Sequence, residues 1–148
     1  MKLDAVWKFF CGVCATFGAF LLRSLGGWDA ALGLLFLMMG LDIICGVIIS
    51  FMCRSGLTSG GGFQSRTFFL GLSRKLLMIL LVILATALDG LLGTQICRLS
   101  VIGFYSANEA FSIIENAALM GVPFPKGILL VLERYREMMD KKGGDGQA

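Results

Sequence analysis

Histidine is absent from all 148 residues, which removes the commonest metal ligand and the commonest general base. No HExxH helix, nucleophile elbow, phosphate-binding loop or dinucleotide fingerprint takes its place. The isolated serines Ser24, Ser50 and Ser106 have no base beside them in the sequence, and Gly60-Gly61-Gly62 reads as a flexible turn. Five cysteines (Cys11, Cys14, Cys45, Cys53 and Cys97) lie mostly inside apolar runs, and an odd number argues against a closed disulfide framework. Cys11-Gly-Val-Cys14 has redox or half-zinc spacing, but no second CxxC supplies the remaining ligands. Charge is scarce at 16% of residues, and no basic-aromatic groove is present, so nucleic acid is not an expected partner. These absences predict no enzyme chemistry, no cofactor and no metal.

Apolar residues make up 57% of the chain and are concentrated in long runs, against about 45–50% in ordinary soluble domains. That pattern predicts an all-α integral membrane protein, one domain over 1–142 with a flexible end at 143–148. Four hydrophobic helices are expected, over about 7–25, 28–53, 76–92 and 99–122. Pro123 and Pro125 then break the pattern and seed a short amphipathic helix over 125–142, suited to a membrane surface or to a second copy. The first segment has Lys2 and Lys8 ahead of it, like a signal peptide. Its Arg23-Ser-Leu-Gly-Gly27 end is a poor cleavage site, so it reads as a retained span.

Basic residues set the expected orientation. Arg54, Arg66, Arg74 and Lys75 fall in the stretch between the second and third segments, and the tail adds five more, whereas Arg23 and Arg98 stand almost alone in the other two turns. The positive-inside rule then places both termini and the stretch between the second and third segments in the cytoplasm, with four spans. Small residues at Gly12, Ala15, Gly18 and Ala19, and at Gly33, Gly40 and Gly46, are candidates for close helix packing in lipid.

Acidic side chains inside such spans are candidate functional groups because hydrocarbon penalises them. Asp42 lies near the middle of the second segment. In the fourth, Tyr105, Asn108, Glu109, Ser112, Glu115 and Asn116 recur at steps of three and four and so share one stripe of a helix. Its nine or ten strongly apolar residues contribute roughly −4 to −5 kcal/mol towards insertion. Two midspan acids at about +2.5–3.5 kcal/mol each cancel that gain. This segment is therefore a conditional span, stable where copies of the chain or water cover its polar side. Internal pairing of the acids, a water-lined path or subunit seam, and ion-coupled transport are all compatible with the pattern.

Several blocks resemble a known family. Gly27-Trp28-Asp29-Ala30 with Leu41-Asp42-Ile43-Ile44-Cys45-Gly46-Val47 is similar to the start of a phage holin family of Gram-positive bacteria and their phages, which includes toxin-secretion holins of clostridia. Gly71-Leu72-Ser73-Arg74-Lys75 with Asp89, then Asn108-Glu109-Ala110, Ile114-Glu115-Asn116-Ala117-Ala118 and Gly121-Val122-Pro123-Phe124-Pro125, continue that likeness over about 25–137. The resemblance implies a multi-pass homo-oligomer in the lipid bilayer of the bacterial cytoplasmic membrane that opens lesions for an endolysin or toxin, which passes without direct binding. A small oligomeric proton- or cation-coupled transporter or channel, using the embedded acids, is the alternative reading, and a passive membrane scaffold a third.

Overall fold

A computed structural model describes residues 2–52 and 65–128, together with positions 130, 131, 133, 134 and 137. Side chains are described from Val6 to Met52 and from Phe68 onwards. Every element among the described residues is helical: α1 Lys2–Ser24, α2 Ala30–Phe51, α3 Ser65–Leu92 and α4 Ile96–Leu119. Three stretches are long and apolar enough to cross a membrane, Val6–Ser24, Ala30–Phe51 and Phe68–Leu92. The fourth helix is not among them, because Arg98, Asn108, Glu109, Ser112, Glu115 and Asn116 interrupt its apolar residues.

The turn between α1 and α2 is set locally. Gly26, with φ of 83°, ends α1 in a left-handed turn that closes with the Gly27 amide donating to the Leu22 carbonyl at 2.8 Å. Asp29 then caps α2, its Oδ1 accepting from the Leu32 amide at 2.8 Å. Pro123 and Pro125 lie outside helix, and the chain is helical again at 126–128 and at the described positions beyond. The rest of the expected tail helix, residues 143–148, Arg54 and the triple glycine lie outside the described residues.

One expected boundary is corrected. The third helix begins at Ser65, about three turns before Leu76 where the apolar run starts. Arg66, Arg74 and Lys75, expected in a loop, therefore belong to α3, and Lys75 is only 7% exposed. Charge was a misleading cue here: Arg and Lys are good helix formers, and nothing from Ser65 to Lys75 breaks a helix except the weak signal of Gly71.

The chain divides into two compact units. One comprises Met1–Leu37 with Phe69–Ser106, the other Met38–Phe68 with Ala107–Ala148. In the first, Leu25, Leu32, Leu35, Val82, Ala85 and Ile102 form the buried apolar core. In the second, Met39 and Ile49 are buried. Against these few stand five buried polar side chains, Lys75, Asp89, Arg98, Ser106 and Glu109. Meanwhile Leu37, Ile44, Leu77, Leu80 and Leu84 are all more than half exposed. A protein with so polar an interior and so apolar an exterior matches a hydrocarbon solvent, not water. Hydroxyls on the spans fit the same solvent by bonding back within their own helix, as Ser50 does to the Gly46 carbonyl at 2.8 Å and Thr86 to the Val82 carbonyl at 2.9 Å.

Substituting Leu70→Pro tests the corrected boundary. Proline inside a helix costs about 3 kcal/mol or more, so membrane accumulation of this variant, followed by immunoblot of the membrane fraction, is expected to fall sharply. Accumulation equal to wild type would show that residues 65–75 are not helical.

Candidate functional site

The stripe read from the sequence lies along α4, and its geometry is specific. Arg98, Ile102, Ser106 and Glu109 succeed one another at steps of four, four and three, and all are buried. The face of α4 turned inward is thus its polar face. Glu109 is 3% exposed, while Tyr105, Asn108, Ser112, Glu115 and Asn116 are all half-buried. In the second unit the structure brings two of the expected residues together: Asn116 Nδ2 donates to Asp42 Oδ1 at 3.5 Å, a long contact that ties α4 to the middle of α2. Ser106 Oγ is the buried side-chain polar atom among the described residues that has no hydrogen-bond partner.

The expected packing residues take a different place. A Cβ built on Gly12, Gly18, Gly40 or Gly46 would meet nothing within 4 Å, and one on Gly33 would reach only Trp28 Cζ2 at 3.9 Å. Ala15 and Ala19 are exposed. A side chain at Gly12, Gly18, Gly40 or Gly46 would therefore find open space beside its own helix. Arg74 is exposed on α3, and Arg66 lies in its first turn.

A second polar cluster, in the first unit, was not singled out as a site from the sequence. Its centre is the Arg98 guanidinium, 6% exposed. Nε donates to the Leu25 carbonyl at 2.6 Å, Nη1 to Asp29 Oδ2 at 2.6 Å, and Nη2 to Asp29 Oδ1 at 3.2 Å and the Gly27 carbonyl at 3.3 Å. All four bonds end on the turn between α1 and α2. The Arg98 amide in turn donates to Asp89 Oδ2 at 2.7 Å, while Asp89 Oδ1 accepts from the Cys97 amide at 3.0 Å and from Thr94 Oγ1 at 2.7 Å. Asp89, at the end of α3, therefore supplies the N-cap of α4, which gives buried amides the acceptors they need. A Cβ at position 26 would stand 2.8 Å from Arg98 Nε, so glycine there is required both by its backbone conformation and by the close approach of Arg98.

A signal for this clamp exists in the sequence. Asp89 lies in the last turns of α3 and Arg98 in the first turn of α4, each at the helix pole that repels its charge. Two charges at unfavourable poles imply specific partners: for Asp89 these are the Cys97 and Arg98 amides, and for Arg98 the turn between α1 and α2. The Asp29 carboxyl is held below the usual aspartate value, first by its hydrogen bond from Arg98 and then by that from the Leu32 amide.

The site thus defines a class, an all-helical membrane protein whose polar groups are gathered on inward helix faces. Comparison with known proteins gives the family. The bacteriophage holin family model matches residues 19–137, and the chain belongs to that family. It is 35% identical over 112 residues to a "Probable holin" of Bacillus phage phi105, covering 73% of this chain and 76% of the phage protein. It is 36% identical over 112 residues to an uncharacterized 14.9 kDa protein of Clostridium perfringens, covering 74% and 79% of the two chains. An uncharacterized protein of Listeria innocua is 35% identical over 126 residues, covering 80% and 86%. No solved structure matches.

The clamp makes two predictions. Removing Asp29 leaves the 6%-exposed Arg98 guanidinium without its counter-charge, and an uncompensated buried charge costs about 3–5 kcal/mol, so Asp29→Ala is expected to lose about 3 kcal/mol. Arg98→Ala leaves a carboxylate that is 44% exposed and open to water, and its loss is smaller, about 1–2 kcal/mol. Unfolding of both variants in detergent by thermal melt or denaturant checks the order; an Arg98→Ala effect larger than that of Asp29→Ala contradicts it. The second concerns pH. Because the folded-state pKa of Asp29 is depressed, its contribution is full above the ordinary aspartate value and fades as pH falls through the lowered one. Asp29→Asn is expected to flatten that acid limb while leaving the profile near neutrality parallel to wild type, measured as melting temperature against pH.

Proposed function

We propose that this chain accumulates in the bacterial cytoplasmic membrane, assembles with copies of itself and opens lesions through which an endolysin or toxin leaves the cell. Membership of the holin family supports the reading, as does the name of the phage relative. The observation that carries it furthest is α4, a helix with the length of a span and the polarity of an interface, whose Glu109 is sheltered at 3% exposure within one copy. An arrangement of this kind stores a hydrophilic wall inside a lipid-soluble package. Turned towards neighbouring copies, the stripe Tyr105, Asn108, Glu109, Ser112, Glu115 and Asn116 would line water; turned inward, it leaves the membrane sealed. The unpartnered Ser106 hydroxyl lies on the same side and would gain a partner from such water.

In this reading α1–α4 form four spans with both termini inside. Arg66 in the first turn of α3, Arg74 and Lys75 at the end of its third, and Lys126 after α4 mark the cytoplasmic side. At the other end of α3 and α4, Arg98 carries a charge that Asp29 neutralises, so it opposes that orientation weakly. The unfilled small-residue positions of α1 and α2 are surfaces on which copies would meet. No catalysis and no cofactor enter the scheme.

The contact of Asn116 with Asp42 favours one further reading, a small proton- or cation-coupled channel in which that carboxylate binds the ion. The two readings differ in what passes: small ions reversibly, or folded protein with loss of viability.

Inducible expression in a bacterium with and without a cytoplasmic endolysin, following dye entry, lysis and release of a cytoplasmic reporter enzyme, tests the proposal. Lysis is expected only with the endolysin present, and dye entry in both strains. Glu109→Leu and Glu115→Leu are expected to insert at wild-type levels yet block reporter release. Unchanged release in both variants removes the role given to the stripe, and passage of ions without protein would favour the channel.

A further inference from the structure

We propose that the Arg98 clamp is a latch between the two halves of the first unit, the α1–α2 turn and the α3–α4 turn, and that its release is what allows α4 to turn its polar face outward. The inference rests on the lesion-forming reading for its consequence, but the latch itself stands on geometry.

Arg98 is the first member of the buried line Arg98, Ile102, Ser106 and Glu109, so the residue that fixes the rotation of α4 at its first turn is on the same face as the acid that must move. Four hydrogen bonds converge from one planar guanidinium on Leu25, Gly27 and Asp29. A rotation of α4 large enough to bring Glu109 to the outside swings Arg98 by the same angle and breaks all four together, because a guanidinium fork tolerates little misalignment. Asp89 holds the backbone amides of Cys97 and Arg98 at the same end of α4, so the latch residue is fixed through its backbone as well as its side chain.

The two partners also differ in access. Arg98 is 6% exposed and Asp29 is 44% exposed, so the latch presents its carboxylate to water and keeps its cation inside. Weakening is expected to begin on the Asp29 side, where water competes for the carboxylate oxygens.

Cys97, half-buried beside Arg98, reports the state of the latch. In full-length protein carrying Cys11, Cys14, Cys45 and Cys53 as alanine, the rate at which N-ethylmaleimide reacts with Cys97 in intact cells is measured for wild-type latch, Asp29→Asn and Arg98→Lys at matched membrane levels, together with the delay to dye entry. Both variants are expected to react several-fold faster than wild type before any dye enters, and to shorten the delay. Equal labelling rates, or an unchanged or longer delay at equal accumulation, overturn the proposal. Where a variant fails to accumulate, the wild-type latch alone decides: labelling must rise as dye entry begins, and a constant rate through that transition overturns the latch. Dye entry that never occurs with wild type at any level counts against lesion formation, and the labelling comparison of Asp29→Asn with wild type still decides the latch.

Discussion

Hydrocarbon offers no hydrogen bonds, so each polar group carried into a membrane must find its partners in protein. This constraint organises the whole chain. It places Lys75, Asp89, Arg98, Ser106 and Glu109 inside and leaves leucines on the outside. It sends span hydroxyls back to their own helix carbonyls. It also explains why Arg98, in the first turn of α4, is not left extended: its fork is filled by two carbonyls and both oxygens of one carboxylate. Replacing that cation by an apolar residue would leave Asp29 and two carbonyls to be satisfied by interfacial water, a weaker and less directional solution.

Much of the architecture was legible before any coordinates. Long apolar runs marked α1, α2 and the apolar part of α3, and the three- and four-residue steps from Tyr105 to Asn116 marked one face of α4. What the pattern did not decide is which way that face points. A periodic stripe is the same stripe whether it lines a pore, a seam between copies or the inside of one chain, and only packing separates these cases. The start of α3 was obscured because loops and amphipathic first turns share a vocabulary of Ser, Arg, Thr and Lys. The clamp was obscured for another reason. Its residues are far apart in sequence, Asp29 and Arg98 being paired across two helices, and single charges near helix ends look like interfacial anchors.

The two clusters divide the labour by depth. The Asp29–Arg98–Asp89 group joins helix ends, where water reaches one carboxylate and directional bonds fix geometry. The stripe of α4 lies further along the same helix, where Glu109 is buried. A helix fixed at one end and polar along one flank is suited to rotation about its axis more than to bending.

The first three turns of α1 carry one more implication. From Val6 to Phe17 every side chain is exposed, and contact with the rest of the chain starts only near Gly18, Leu21 and Ser24 before Leu25 is buried. The family match opens at residue 19, where that contact begins. Upstream of it, the exposed aromatic and small side chains of α1 meet no buried core among the described residues, so their fit is set by whatever surrounds the molecule.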